Sequence, residues 1–290
     1  MFSIFRREEY RNAIFLLPGL VGLGGLVYSL LYTFYLSQFN YKLGFGTPTY
    51  IGLQNFIFLL NDMIFRAAVA NTLYFVVLAT SLEMLYGIFL AYLLYWSKYR
   101  YLFMPFLILP MLLPAVNIVV LWRFLLHPEY GIVNVLLRGL GFSPIDPLDN
   151  PTWAMPTIIL MDVWQMTPFV MIILFSGFAT VPPDIVTAAR IDGARKLDLM
   201  TKIILPMTKN VILAVLLLRL IDAFRIFAKV WLLTRGGPGV STETLELQIY
   251  VRGVRSLDLG LGSALSVVLI LLSLIVIIPY MVMVIRQWRR

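Results

Sequence analysis

The sequence has no cysteine, a single histidine and few charged residues. Without cysteine, disulfides and thiolate metal sites are excluded, and the redox compartment cannot be read from the chain. A lone histidine, His127, has no partner for a histidine-based metal cluster, so we interpret it as a loop residue. Charged residues make up 13% of the chain, against about 25% in an average soluble domain. A soluble globular protein is therefore excluded.

Catalytic and nucleotide-binding motifs are also missing. Gly236-Gly237-Pro238-Gly239 has the glycines of a phosphate loop but no following lysine, and the full GxxxxGK[ST] pattern occurs nowhere. No nucleophile–base pair, metal-ligand spacing or dinucleotide fingerprint is present. We predict no catalytic residue, no metal site and no cofactor bound by this chain. An integral-membrane enzyme has little support, and any uphill transport needs either ion coupling or a separate ATPase subunit.

Long apolar runs dominate what the sequence does contain, since 60% of its residues are hydrophobic. A transmembrane helix needs about 20 consecutive apolar residues. The runs predict an all-α polytopic membrane protein, with one transmembrane domain over residues 1–290. Its six predicted transmembrane helices cover residues 14–39, 68–96, 101–126, 153–178, 211–233 and 261–285.

Lysine and arginine residues are unevenly distributed between the two sides of this topology. Thirteen of the 23 fall on the side of both chain ends, six fall on the other, and four lie in or at the edge of spans. Cytoplasmic loops carry the excess of positive charge, so we predict a multi-pass protein of the inner or plasma membrane with both termini in the cytoplasm. Membrane lipid is its surrounding partner. The net charge of +8 then reflects topology and does not indicate nucleic-acid binding.

Several polar residues lie inside the predicted spans, where ionisable groups are costly and by default mark a pathway or a buried pair. Arg219, Asp222, Arg225 and Lys229 of the fifth span share about a third of one helix circumference. Together with the aromatic residues Phe224, Phe227, Trp231 and Trp164, such donors and acceptors suit a hydroxyl-rich solute. Structural pairing between helices remains the alternative. The predicted pathway residues are Glu83, Asn117, Asp162, Gln165, Arg219, Asp222 and Arg225, with Thr167 as a further polar group in the fourth span.

The loop over residues 181–206 is polar and lies between two long apolar runs. Pro182 and Pro183 can open a helix, because proline in the first turn loses no hydrogen bond. Gly193 is free to adopt the left-handed conformation that ends a helix. A second short helix over residues 194–204 is predicted to end before Pro206. The loop is therefore predicted to form a helix–turn–helix facing an aqueous compartment.

The same loop resembles the signature of the membrane permeases of ABC importers, specifically the carbohydrate-uptake class. That signature is EAA, three residues, Gly, nine residues, Ile, one residue, Leu-Pro. Every spacing is present here, although Thr187 replaces the glutamate. The matching residues are Thr187-Ala188-Ala189, Gly193, Ile203 and Leu205-Pro206. Residues 122–134 and 233–238 resemble further stretches of the family, and the resemblance covers nearly the whole chain.

The resemblance implies a type I ABC importer permease fold, in which residues 187–193 form a cytoplasmic coupling helix seated on an ATPase. Two permeases would pair around a central pathway with a cytoplasmic ABC ATPase dimer, which holds ATP and Mg²⁺, and an extracytoplasmic substrate-binding protein. Asp184, one turn before Thr187, could take a role related to that of the lost glutamate. The predicted ATPase-coupling residues are Asp184, Thr187, Ala188, Ala189, Asp192, Gly193 and Pro206.

The predicted function is that of a permease subunit of an ATP-driven importer for a sugar or polyol. Glycerol phosphate is an alternative solute, because Arg219, Arg225 and Lys229 could meet a phosphate group. An ion-coupled carrier working alone is a second alternative, although the chain has no convincing internal repeat of the kind that many secondary transporters contain.

Overall fold

The computed structural model describes residues 2–288 and consists mostly of helices. Two segments, Met200–Ile204 and Ile249–Arg255, are π-helical. A short strand β1 (Phe39–Asn40) pairs antiparallel with β2 (Thr49–Tyr50). The α-helices are α1 (Phe2–Leu36), α2 (Gln54–Asn61), α3 (Met63–Trp96), α4 (Arg100–Leu112), α5 (Ala115–Leu125), α6 (Ile132–Gly139), α7 (Ala154–Ala179), α8 (Pro183–Ile191), α9 (Lys196–Leu199), α10 (Leu205–Met207), α11 (Lys209–Ala223), α12 (Ala228–Leu233), α13 (Leu245–Gln248) and α14 (Leu259–Trp288).

Among the described residues, four single helices are each long and apolar enough to cross a membrane: α1, α3, α7 and α14. Two bent pairs also pass the same test of length and composition. These pairs are α4 with α5, and Lys196–Met207 with α11. With each bent pair counted as one span, length and composition allow up to six spans, and the predicted all-α polytopic architecture is confirmed.

The third predicted span, residues 101–126, is not one straight helix. It breaks between α4 and α5, whose axes differ by 97°. Leu113 is extended (φ −80°, ψ 134°), and Pro114 follows as the N-cap residue of α5. A residue before proline is sterically disfavoured from the helical region, which explains the break. Pro105 and Pro110 are instead accommodated inside α4.

The fifth span was predicted as a single helix over residues 211–233, and this prediction is wrong. The helix α11 ends at Ala223, four non-helical residues follow, and α12 begins at Ala228. Non-helical backbone at membrane depth is tolerated only where protein or a polar cavity surrounds it. The surroundings of this break are therefore the natural place to look for a site.

The 181–206 loop forms two helical arms, but the second extends further than predicted. It starts with α9, continues as the π-helical segment and includes α10, so it runs past Pro206. The amide of Leu205 bonds to the carbonyl of Met200, five residues back. Pro206 then occupies the start of a new turn, where its missing N–H costs nothing. A 72° bend at Thr208 leads into α11.

The chain divides into two compact units where the sequence had predicted a single domain. The smaller unit runs up to Asn61 and includes Ile249–Val268; the larger contains Asp62–Gln248 and the chain from Leu269 onward. In the smaller unit, the Asn55 side-chain amide donates to the carbonyls of Ser37 (2.8 Å) and Phe39 (2.9 Å). These bonds attach α2 to the end of α1.

The core of the larger unit lies between α3 and α7. Phe75 and Ala79 of α3 and Met171 and Leu174 of α7 are fully buried. At Gly87 the helices approach so closely that a Cβ atom would stand 2.4 Å from the Cγ1 atom of Val170. This pair of helices is the scaffold on which the polar groups of the larger unit are fixed.

Candidate functional site

A network of buried charges lies where α3, α7, α11 and α12 meet. Its centre is Arg219 of α11, of which only 2% is exposed. The Nε atom of Arg219 donates to Glu83 Oε2 at 2.6 Å, and its Nη2 atom donates to Glu83 Oε1 at 2.8 Å. This two-point contact matches the planar fork of a guanidinium to a carboxylate and fixes the orientation of both side chains. Glu83 itself is fully buried in α3.

Asp162 of α7 extends the network across the break in the fifth span. Its Oδ2 atom accepts a bond from Arg219 Nη2 at 3.2 Å, and its Oδ1 atom accepts one from Lys229 Nζ. Arg219 also bonds Asp222 through its Nη1 atom. Asp222 alone of this set is exposed, with 55% of its side chain accessible.

These contacts satisfy charges that would otherwise be very costly to bury. Two cations, Arg219 and Lys229, face three carboxylates, and each charged group has at least one partner of opposite sign. Within the described residues the network therefore carries a formal charge of −1. The pair of Arg219 and Asp222 is local, because the two residues lie three positions apart on α11.

The sequence explanation for this convergence, one polar face on a continuous helix, is wrong. Arg219 and Asp222 lie on α11, Arg225 lies in the break, and Lys229 lies on α12. What brings Arg219 and Lys229 together is their shared carboxylate partner on α7.

A cavity of about 140 Å³ opens beside this network at the break. Asp162, Arg219, Asp222, Arg225 and Lys229 all line it, and Phe227 contributes an aromatic ring. The ring of Phe227 stacks on that of Trp231, with centroids 6.4 Å apart and planes within 10°. Exposed carboxylate and guanidinium groups beside an aromatic face can bind hydroxyl groups and the apolar side of a ring.

The other predicted pathway residues are not part of this cavity. Asn117 lies exposed on α5. Gln165 is buried, and its side-chain amide donates to the carbonyl of Leu113 at 3.0 Å, across the bend of the third span. Trp164 and Thr167 line a separate apolar cavity of about 380 Å³, while Phe224 is buried.

The sequence interpretation missed Glu246, an acidic residue of α13 outside the candidate spans. Burial raises the pKa of Glu246 to about 7, with the nearby Arg225 acting in the opposite direction and Asp222 in the same one. Its Oε2 atom is buried and has no hydrogen-bond partner among the described residues. The adjoining amide of Leu245 donates to Thr72 Oγ1 at 3.0 Å, which fixes α13 on α3. The only sequence signal was one acidic residue between two leucines.

The second candidate site is the 181–206 loop. Pro183 opens α8, and Gly193 follows the helix with a φ of +87°, in the left-handed region that favours glycine. Val186 is buried against the core of the larger unit, so the loop has a fixed base. Its outer surface is open: Asp184, Thr187, Ala188, Asp192, Gly193 and Pro206 are exposed, and Ala189 is half-buried.

Two contacts join the arms of this loop to the end of α3. The guanidinium of Arg190 lies 4.9 Å from the ring centroid of Trp96, and the ammonium of Lys196 lies 5.8 Å from it. Cations over an aromatic face are attracted by its electron density. Next to these contacts Ile191 is 82% exposed, an apolar side chain with no cover at the tip of α8.

Several helices long and apolar enough to span a membrane, a polar break inside one span and an open loop between two spans are typical of a membrane transport subunit. Residues 83–290 match the family described as the inner membrane component of binding-protein-dependent transport systems. The chain belongs to this family of ABC importer permeases, and it is accordingly a multi-pass inner-membrane protein.

Relatives with known names agree with this assignment. The chain is 34% identical over 263 residues to a sulfoquinovosyl glycerol transport system permease protein of Agrobacterium fabrum, covering 88% of this chain and 84% of that one. It is 32% identical over 280 residues to a trehalose/maltose transport system permease protein of Thermococcus litoralis, covering 95% and 94%.

Solved structures agree on the fold. A bacterial ABC transporter that imports the acidic polysaccharide alginate contains a chain with a TM-score of 0.85 and 23% identity, covering 97% of this chain and 96% of that one. A second structure of an alginate transporter, bound to a periplasmic protein carrying an alginate pentasaccharide, gives a TM-score of 0.83 at 22% identity, covering 97% and 95%. The predicted importer permease fold is therefore confirmed.

Proposed function

We propose that this chain is the permease subunit of an ATP-driven importer for a sugar or polyol, and that it forms half of the translocation pathway. The supporting observation is the polar cavity at the break in the fifth span, where Asp222 and Arg225 are exposed beside the ring of Phe227. Hydroxyl groups need both donors and acceptors, and a sugar ring can lie on an aromatic plane. The names of the relatives, which include trehalose/maltose and xylose/arabinose permeases, support the same solute class.

We assign the solute contacts to the residues whose polar atoms are exposed and can form further hydrogen bonds. Asp222 and Arg225 are exposed to the cavity, whereas Glu83, Asp162 and Arg219 already satisfy one another. Asn117 and Gln165 lie outside this cavity, and they join the pathway only if it extends along α5 and the bend before it. Glu246 is added as a group near Arg225 and Asp222.

The coupling role is assigned to the 181–206 loop. Its exposed tip combines Ile191 with the small residues Ala188 and Gly193, so another protein surface can approach its backbone closely. A groove on a cytoplasmic ABC ATPase dimer, which would hold ATP and Mg²⁺, is the proposed partner. Thr187 offers a hydroxyl where the family signature has a carboxylate, so Asp184 supplies the nearby negative charge.

The complete machine proposed here also includes a second permease and an extracytoplasmic substrate-binding protein. Both termini and the 181–206 loop are proposed to face the cytoplasm, from the excess of basic residues on that side. Solute and nucleotide would switch the pathway only if each binds the inward-facing and outward-facing states with different affinity.

The two alternatives have weaker support. A phosphate would need free cations, but Arg219 and Lys229 are both bound to carboxylates. Of the described cations that line the cavity, Arg225 is the exposed one. Membership in a binding-protein-dependent family argues against an ion-coupled carrier that works alone.

Reconstitution tests the proposal directly. The native complex, purified from its own membrane and placed in vesicles with its binding protein, should accumulate trehalose or maltose only with ATP. Glycerol 3-phosphate serves as the competing probe, and the isolated chain in vesicles with an ion gradient serves as the control. Uptake by the isolated chain, or uptake of glycerol 3-phosphate in place of the neutral sugars, would overturn the proposal.

A further inference from the structure

One carboxylate holds both ends of the break in the fifth span. The Oδ2 atom of Asp162 accepts a hydrogen bond from Arg219, on the last turns of α11, and its Oδ1 atom accepts one from Lys229, on the first turn of α12. The two oxygens of a single side chain therefore bind one cation on each side of the break.

The break needs such support because its own hydrogen bonds are few. The amide of Arg225 bonds to the carbonyl of Asp222 at 2.9 Å, and that of Phe227 bonds to Arg225 at 3.0 Å. Neither bond spans the four residues of an α-helical turn, so the helix backbone does not determine how α12 continues from α11. Side chains from neighbouring helices must determine it.

The anchor for this arrangement is α3. Glu83 accepts hydrogen bonds from the Nε and Nη2 atoms of Arg219, and the Nη1 atom of Arg219 donates to Asp222. Glu83 thus orients the guanidinium, while Asp162 connects that fixed group to Lys229. The residues at the cavity, Asp222 and Arg225, lie between the two bridged cations in the sequence.

We propose that Asp162 is a positioning residue that bridges α11 and α12 and sets the geometry of the break, so that Asp222 and Arg225 are presented to the cavity. Asp162 does this through Arg219 and Lys229 and does not itself bind the solute. The part of this inference that concerns solute rests on the proposed function; the part that concerns the geometry of the break does not.

The chain offers a direct measurement, because it has no cysteine. Asn210→Cys, on an exposed site of α11, and Leu232→Cys, on α12, introduce the only two thiols of this chain, and any cysteines of the other subunits are replaced before spin labelling. Pulsed electron spin resonance on the assembled native complex then reports the distance across the break, in the absence of solute. Asp162→Asn and Lys229→Met should each shift or broaden the distance distribution, and Lys229→Arg should restore much of it.

Asp198→Asn is the matched control. It also removes a carboxylate that is paired with a lysine, Lys202 at 2.7 Å, but on the exposed surface of α9. It should leave the distance distribution unchanged. If Asp162→Asn fails to assemble, the milder Lys229→Met decides the question, because Asp162 keeps Arg219 as its partner in that variant. An unchanged distribution in the Lys229→Met complex would overturn the inference.

Transport of trehalose separates this inference from the proposed function. Asp162→Asn and Lys229→Met should raise the KM for transport more than they lower the maximal rate, and the double variant should be no worse than the more affected single one. If the variants shift the distance but the unmodified complex transports no sugar, the proposed function is rejected and the bridge is retained. An unchanged distance with altered transport would reject the bridge, because Asp162 would then act on the solute directly.

Discussion

The buried charge network and the 181–206 loop use polar residues in opposite ways. In the network, Glu83, Asp162 and Arg219 are almost fully buried and bound to one another. In the loop, Asp184, Thr187 and Asp192 are exposed, above an apolar base in which Val186, Leu199 and Ile204 are buried. The charges of the network pair with one another and hold the helices together. The polar and small residues of the loop remain exposed, where a partner can contact them.

The difference teaches that polarity inside a span is weak evidence for solute contact. A buried charge whose partners are complete stabilises one geometry, and its removal leaves the partners uncompensated. An exposed residue above a buried apolar base can be substituted without loss of core packing. Assembly and transport should therefore respond differently at the two regions.

The largest effect is expected at the centre of the network. Arg219→Met leaves three carboxylates with only Lys229 as a cation, and breaking a buried pair in this way costs about 3–5 kcal/mol. We expect loss of assembled protein, measured by its amount in the membrane and by thermal unfolding in detergent. Arg219→Lys keeps the charge but cannot make the two-point contact, so its loss should be smaller. Normal assembly of Arg219→Met would contradict the comparison.

The next effect concerns the loop. Gly193→Val should abolish uptake and solute-stimulated ATP hydrolysis, while the permease still inserts and assembles. A left-handed β-branched residue costs about 1–2 kcal/mol, and the new side chain stands on the proposed docking surface. Gly141→Val is the matched control, because Gly141 has a similar φ of +82° and similarly open space. If both variants transport equally badly, the loss at Gly193 comes from strain and not from docking.

A smaller, pH-dependent effect is expected at Glu246, a half-buried residue whose buried Oε2 atom lacks a partner in the described chain. Its pKa of about 7 in the folded protein lies above the ordinary value of 4.5. The stability that its protonated form contributes is complete below about pH 4.5 and is lost as the pH rises through about 7. Glu246→Gln should therefore unfold at a higher temperature than the unmodified protein at about pH 8.5, and the difference should disappear near about pH 5. The exposed Glu129→Gln is the control, and a difference independent of pH would refute the assignment.

The smallest effect is expected at the exposed pair of Asp198 and Lys202. Surface ion pairs between neighbouring helical turns contribute little, because water and salt screen them. Lys202→Ala should change neither the unfolding temperature nor transport by a measurable amount. A clear loss of ATP hydrolysis without loss of stability would extend the docking surface to α9.

Local chemistry in the sequence predicted part of both regions. Pro183 and Gly193 fix the start and the end of α8, because their backbone preferences hold whatever surrounds them. The pairing of Asp222 with Arg219 was predictable from their separation by three residues. The contacts of Glu83 and Asp162 with Arg219 were not, since these residues are 136 and 57 positions away in the chain.

The sequence by itself determined the class of this protein: apolar runs long enough to span a bilayer, the uneven distribution of basic residues and a spaced motif in the 181–206 loop. Each depends on composition or on short-range backbone geometry. Only the tertiary structure decided that the fifth span is broken and that Asp162 joins its two parts. A helix pattern assumes continuous hydrogen bonds along the backbone, and it does not reveal where side chains from distant helices replace them.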